Sequence, residues 1–487
     1  MNPTDALIAA LLIPVAGAAL VALAGRWPNL RETITLVTAV VLFATVTRLV
    51  PGVIDGGRPA VMALDVAPGL DLAFRLEPLG MLFALIASFL WIINSIYSIG
   101  YMRANNEPRQ TQFYVCFAVA IAATLGIAFS ANLFTLFIFY EILTLTTYPL
   151  VAHHGDSEAR AGGRTYLMIL LGTSIVFFIP ALLWTLSLAG TLDFVPGGVL
   201  GGVASPTVIV ILLALFAFGI GKAALMPVHR WLPAAMVAPT PVSALLHAVA
   251  VVKAGVFTIV KVGVYTFGID TLSAISGADW LLYLAGFTVI AASIIALRQD
   301  NLKRRLAYST VSQLSYVILA LAILTPISVA GAALHIAAHA FGKITLFFAA
   351  GSIYTAAHKT EISQLDGIGR VMPWTMGAFA IGALSMVGIP PTAGFVSKWF
   401  ILTGAMDSQN LFAVAVIIVS TLLNAAYFMP IVYQAFFRKL PDNPGHSHGE
   451  APFAIVLALS LTALGTVVLF FFHDTALTLA RQLAGIS

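Results

Sequence analysis

Glu141, Lys222, Lys253, Lys261, Lys343 and Lys398 all fall inside long apolar segments. A charge near the centre of a bilayer costs at least about 2.5–3.5 kcal/mol on insertion scales, so such residues mark routes for ions or protons. His335, His339 and Lys343 follow at i, i+4 and i+8, which places them on one face of a helix. Imidazole accepts a proton on one ring nitrogen and donates from the other near neutral pH. Desolvation favours the neutral form of a lysine and makes its charge switchable. A stripe of these three groups has the chemistry of a proton relay. Two histidines at this spacing also suit a metal, but no carboxylate or cysteine lies nearby to complete a site, and none is expected.

Glu141 is the one acid placed mid-span, about nine residues or ~14 Å from the end of its segment. Its expected partner is Lys222. Pairing favours the charged lysine and separation the neutral one, so motion of either drives a proton on or off. A static pair is the plainer alternative, although it would carry a desolvation cost without a clear gain in stability. Lys253, about 12 residues or ~18 Å into its span, is near the midplane, whereas Lys261, about 30 Å along the same helix, is expected to snorkel to the headgroups. Ser309, Ser312, Gln313 and Tyr316 line one face of the span before the histidine stripe, either ordering water or packing helices.

The elements that must hold these residues are membrane helices. Of 487 residues 60% are hydrophobic and 9% charged, against roughly 25% charged in a soluble domain. The mean hydropathy is +0.99. Apolar stretches long enough to cross fall near 5–24, 33–53, 79–99, 111–130, 132–152, 164–188, 206–226, 241–266, 276–298, 305–324, 326–356, 373–403, 410–436 and 452–472, about fourteen transmembrane helices in an all-α polytopic membrane protein. Between the second and third, VMALDVAPGLDLAFRLEP alternates around Pro-Gly and reads as a surface hairpin. The N-terminal segment lacks a basic leader and reads as a retained helix. The single Cys116 excludes disulfide frameworks and reads as packing.

Net charge is +4, but the basic residues mark topology and give no reason to expect nucleic acid. Of the 24 Lys and Arg, fifteen, among them Arg103, Arg160, Arg230, Arg304 and Arg438, fall on one side of the spans. Arg48, Arg58, Arg75 and Arg481 fall on the other. The positive-inside rule then places both termini outside the cell's inner (plasma) membrane. LKRR at 302–305 belongs to this signal and suits anionic lipid. HSHG at 446–449 reads as a solvated inner loop.

Two spans are interrupted. Pro227, Pro233, Pro239 and Pro241 follow Lys222, and the stretch Gly388 to Gly394 precedes Lys398. Backbone that leaves the helix at membrane depth must face protein or water, and paired breaks in two halves point to an ion site. Ordinary proline kinks are the alternative. The breaks lie about five spans apart, giving two repeats: an N-terminal region over 1–110 with the hairpin, a first repeat 111–266, a second 267–436, and an inner loop with a last helix over 437–487.

FYEILTLTTYPL around Glu141, GKAALMPVHRWLPAAMVAPTPVSALLHAVAVVKAG with Lys222, His247 and Lys253, NLKRRLAYSTVSQLSYV, HIAAHAFGKITLFF with Lys343, and GIPPTAGFVSKW with Lys398 resemble the proton-translocating antiporter-like subunits. That family is shared by respiratory complex I, membrane-bound hydrogenases and multisubunit Mrp-type Na+/H+ antiporters. The resemblance covers about 111–436. It implies two inverted five-helix repeats with broken helices, Glu141 modulating Lys222, Lys253 in an inner half-channel, His335, His339 and Lys343 as a central hydrophilic axis, and Lys398 as the terminal lysine of an outer half-channel. Length, Lys398 and HAFGKITLFFAAGSIYTAAHK most resemble the D-type subunit of Mrp antiporters.

The expected function is proton translocation within a Na+/H+ antiporter complex, the alternative a pumping subunit of an NADH:quinone oxidoreductase or hydrogenase. Expected partners are other membrane subunits, H+, Na+ and lipid. One cysteine cannot hold an iron–sulfur cluster and no dinucleotide fingerprint is present, so no cofactor is expected and any redox chemistry would belong to partners.

Overall fold

A computed structural model describes residues 2–486 except 441–448. Most of HSHG therefore lies outside the described residues. The chain begins with α1 (Pro3–Leu23) and α2 (Pro28–Ile54), then a hairpin of β1 (Ala60–Ala67) and β2 (Leu70–Arg75). Next come α3 (Pro78–Ala104), α4 (Gln110–Ala128), α5 (Leu133–Val151) and α6 (Ser157–Ala189). After α7 (Pro206–Gly219) and a broken stretch follow α8 (Thr240–Phe267), α9 (Trp280–Leu297), α10 (Leu302–Ala322) and α11 (Pro326–Ala357). The chain ends through α12 (Pro373–Val387), α13 (Ala393–Asp407), α14 (Leu411–Phe437), α15 (Phe453–Phe471) and α16 (Asp474–Ala484).

The protein is thus a mostly helical polytopic membrane protein. Among the described residues eleven helices are long and apolar enough to cross a bilayer. Helices α7 and α12 are shorter because each stops at a break, and α10 carries a polar face. Each expected apolar stretch holds a helix. The amphipathic α16 was not anticipated, since its 11 residues are too short for a span.

Local signals explain the boundaries. Asn132 caps α5 by accepting the Thr135 N–H at 2.8 Å, and Asp156 caps α6 through Ala159 N at 2.7 Å. Thr325 and Ser328 form a reciprocal capping box at the start of α11, with Pro326 in the first turn, where its missing N–H loses nothing. The hairpin pairs Ala60 with Arg75 and Val61 with Phe74, and turns at Gly69, whose φ of +77° suits glycine. It is tied to α5 by Ala73 N–H donating to Thr135 Oγ1 (2.9 Å) and Asn132 donating to the Asp71 carbonyl (2.8 Å).

Helices α8 and α11 occupy the centre, wholly buried within the protein, while α1, α2, α6 and α15 expose broad apolar faces. Helix α11 packs against α3, α8, α10, α12, α13 and α15. Charges on α8 and α11 therefore meet protein on every side, the setting in which an intramembrane charge is tolerated.

Candidate functional site: a polar axis through the bundle

The first break begins where α7 ends at Gly219. Lys222 sits in a single 3-10 turn, Gly221–Ala223. The freed backbone groups find protein partners: Lys222 N–H donates to the Tyr140 hydroxyl (3.0 Å), and the Gly221 carbonyl accepts from Trp231 Nε1 (2.9 Å). Helix α8 presses against this turn at Gly255, where any Cβ would overlap the Lys222–Ala223 peptide. Lys222 is fully buried. Its ammonium donates to the Tyr140 carbonyl at 2.8 Å and to Thr144 Oγ1, and lies 3.2 Å from the centre of the Tyr140 ring.

Glu141 does not form the direct ion pair with Lys222 that the sequence led us to expect. Among the described residues no salt bridge joins them, and both Glu141 carboxylate oxygens are buried without a protein hydrogen-bond partner. The neighbouring Tyr140 and Thr144, one helical turn apart on α5, hold the ammonium instead.

Within α8 the backbone opens into a π-helical turn over Leu245–Val249, a feature frequent at functional sites. His247 lies in this turn, fully buried, with neither ring nitrogen bonded to protein and its ring 4.6 Å from that of Phe347. Lys253 follows on α8, and its Nζ bonds directly to Nδ1 of His339 on α11. The His339 and His335 rings stack at 6.0 Å. His335 Nδ1 in turn meets Ser397 Oγ at 2.9 Å. The Nε2 atoms of both histidines are buried without a protein partner.

Lys343 turns toward α10, where its Nζ donates to Ser309 Oγ (2.7 Å) and to the Leu306 carbonyl (3.2 Å). Ser309 meets the Tyr427 hydroxyl at 3.0 Å, and Tyr427 donates to Asn424 Oδ1. The Asn424 amide donates to the Met386 carbonyl (3.4 Å). That carbonyl also accepts from Lys398 Nζ (2.8 Å). A continuous set of polar contacts therefore joins Lys343 to Lys398. Lys398 sits beside the second break, where α12 ends at Gly388 with φ of +91°, and also donates to the Val387 carbonyl (3.1 Å).

The structure brings Lys253, His339 and His335 into one contact chain and Lys343 and Lys398 into another, with Ser397 beside Lys398 touching His335. Among the described residues no direct hydrogen bond joins Lys222 to Lys253. Sequence reading missed Tyr140, Thr144, Ser397, Asn424 and Tyr427. A signal for two of them was available: Ser420, Asn424 and Tyr427 recur at i, i+4 and i+7 in an otherwise apolar α14.

Lys261 does not snorkel. It is 1% exposed and lies 3.4 Å from Glu77 Oε2. Because protein surrounds α8, no headgroup is within its reach.

Residues 130–424, more than half of the chain, match the family described as NADH:quinone oxidoreductase/Mrp antiporter, transmembrane. The chain is 32% identical over 433 residues to NADH-quinone oxidoreductase subunit N of Desulforudis audaxviator, covering 85% of each. It is 30% identical to the largest-lettered relative's counterpart in a cation exchanger, the A component of the Na(+)/H(+) antiporter of Alkalihalophilus pseudofirmus, covering 86% of this chain and 54% of that one. Its fold is similar to a chain of the Mrp complex from Dietzia sp. DQ12-45-1b, with a TM-score of 0.86 and 21% identity over 100% of this chain and 97% of that one. The chain thus belongs to the antiporter-like membrane subunits of the NADH:quinone oxidoreductase/Mrp antiporter family.

Proposed function

We propose that this chain is the D-type proton-translocating subunit of a multisubunit Na+/H+ antiporter in the plasma membrane. It crosses fourteen times as two inverted five-helix repeats, 111–266 and 267–436, with both termini outside. Protons load at Lys222, His247 and Lys253 and pass the His335, His339 and Lys343 stripe. They exchange with the other side at Lys398, while Glu141 biases the protonation of Lys222. The observation that carries this reading is the contact path from Lys343 through Ser309, Tyr427 and Asn424 to the carbonyl that holds Lys398. Buried polar groups without protein partners, at Glu141, His247, His335 and His339, support bridging water between the direct contacts.

Lys222→Ala, Lys398→Ala and Glu141→Ala should each abolish cation-dependent proton exchange in vesicles carrying the assembled complex, with assembly intact. Normal exchange in all three would overturn the route.

A second reading, a pumping subunit of a redox complex, is favoured by the match to a subunit N over 85% of both chains. Native purification separates the two. Co-purifying iron–sulfur proteins support the redox complex, and small membrane proteins alone support the antiporter.

A further inference from the structure

At the hairpin end of α8 lies a buried ion cluster that the route above does not use. Lys261 Nζ donates to the Ser130 carbonyl at 2.6 Å, lies 3.4 Å from Glu77 Oε2, and faces the Phe194 ring at 4.4 Å. Glu77 Oε1 accepts two bonds from Arg75, from Nε at 3.1 Å and Nη2 at 2.9 Å. Four separate stretches of chain supply these groups: the end of β2 with the start of α3, the α4–α5 link, the segment after α6, and α8. Arg75, Glu77 and Phe194 also line a vestibule of about 720 Å³, together with Arg58, Tyr265 and Asp270.

An anchoring role accounts for only half of this cluster. Arg75 already neutralises Glu77 through two hydrogen bonds. Burying a second cation on the same carboxylate adds a desolvation penalty. The Lys261 ammonium is a monovalent cation held by a carboxylate oxygen, a carbonyl oxygen and an aromatic face. Carboxylate and carbonyl oxygens are the donors that hard inorganic cations select, and an aromatic face attracts any cation. Charge limits the ligand further. Arg75, Glu77 and a protonated Lys261 sum to one positive charge, and a single monovalent cation restores that sum once Lys261 is neutral. The vestibule has space for the waters that would complete its shell, at about 30 Å³ each.

We infer that the Glu77 carboxylate and the Ser130 carbonyl form a site for a monovalent inorganic cation, which the Lys261 ammonium fills when protonated and vacates on releasing its proton to the vestibule. One proton leaves for each cation that arrives, and the charge of the cluster is unchanged. The inference rests on the antiporter reading for the role the cation plays in turnover. The site itself is tested by binding alone.

The experiment measures radioactive Na+ binding and proton release on the purified full-length chain between about pH 7 and pH 9, for the native protein and Lys261→Met. Competition with one proton lowers the apparent Kd of the native chain about tenfold per pH unit, with one proton released per Na+ bound. Lys261→Met should bind with an affinity that does not change with pH and release no proton. Lys261→Arg keeps a permanent cation in place and should lose binding throughout, which provides a second test if the methionine variant does not fold. A native affinity that is flat with pH, wild-type pH dependence in Lys261→Met, or binding retained by Lys261→Arg would each overturn the site. Because no transport is measured, failure of the vesicle test leaves this result standing, and the reverse also holds.

Discussion

Lys398 and Asn424 donate to the same atom, the carbonyl oxygen of Met386, from 2.8 Å and 3.4 Å. One comes from α13 and the other from α14, and the acceptor is near the end of α12, where the helix stops and its last carbonyls lack intrahelical partners. The second break therefore creates an acceptor that a whole helix would have consumed. Lys398 is tied through it to Tyr427, Ser309 and Lys343.

Asn424→Leu should cut this path without removing any charge. A lost buried hydrogen bond is worth about 1–3 kcal/mol. If that raises the transfer barrier in full, proton exchange falls about five- to a hundredfold. Tyr427→Phe should act in the same direction. Vesicle exchange rates normalised to assembled protein decide it, and unchanged rates in both variants would show that protons bypass α14.

Much of this architecture was legible because membrane burial writes strongly into sequence. Twenty-residue apolar runs, Pro-Gly at the hairpin turn and prolines after Lys222 each have a single-segment physical cause, and each has its counterpart in the structure. The buried lysines were legible for the same reason, since a charge in an apolar run stands out. What they touch was not. The partners of Lys222 proved to be the carbonyl and hydroxyl of Tyr140 and Thr144, which flank Glu141 in sequence without carrying charge. Lys261 was misread because snorkelling depends on whether lipid or protein surrounds the helix, and one segment does not state what surrounds it.

The loop joining α5 to α6 should make stability depend on pH in two opposing ways. His154 Nε2 lies 3.3 Å from Glu107 Oε2, and His153 Nε2 lies 3.6 Å from the same atom. The hydrogen-bonded Glu107 carboxylate, helped by Asp156, holds His154 above the usual histidine range, whereas burial, with Arg109 adding to it, pushes His153 below. A raised value contributes stability that is complete below the unfolded pKa of about 6.5 and is lost as pH rises through the folded value. A lowered value does the opposite, withdrawing stability as pH falls below about 6.5. His154→Gln should leave only the His153 effect, so its melting temperature should drop more than that of the native protein between pH 7 and pH 5. Parallel melting curves would sink this assignment.

Gly255 should be intolerant of size. Any Cβ there overlaps the Lys222–Ala223 peptide, and overpacking of this kind costs about 1–3 kcal/mol. Gly255→Val should lower the melting temperature and displace the turn that carries Lys222, so that exchange per folded molecule falls as well. Stability lost with exchange per molecule unchanged would separate the packing role from the positioning one.

Glu141 and Thr144 should affect Lys222 through different physics. Thr144 touches the ammonium, while the Glu141 carboxylate makes no direct ion pair with it. Thr144→Val removes a contact, worth about 1–3 kcal/mol when the donor is buried, yet leaves the Tyr140 carbonyl as acceptor. Glu141→Gln removes a field instead. A charge just beyond 4 Å contributes up to about 4 kcal/mol at an effective dielectric constant of 20, so Gln should disturb Lys222 as much as Ala does, and Asp should restore most of the activity. The pH dependence of proton exchange distinguishes them: Glu141→Gln should displace the profile, whereas Thr144→Val should lower its height and leave its midpoint close to native. A displaced midpoint in Thr144→Val with a native one in Glu141→Gln would reverse these roles and make the direct contact, not the carboxylate, the control on Lys222.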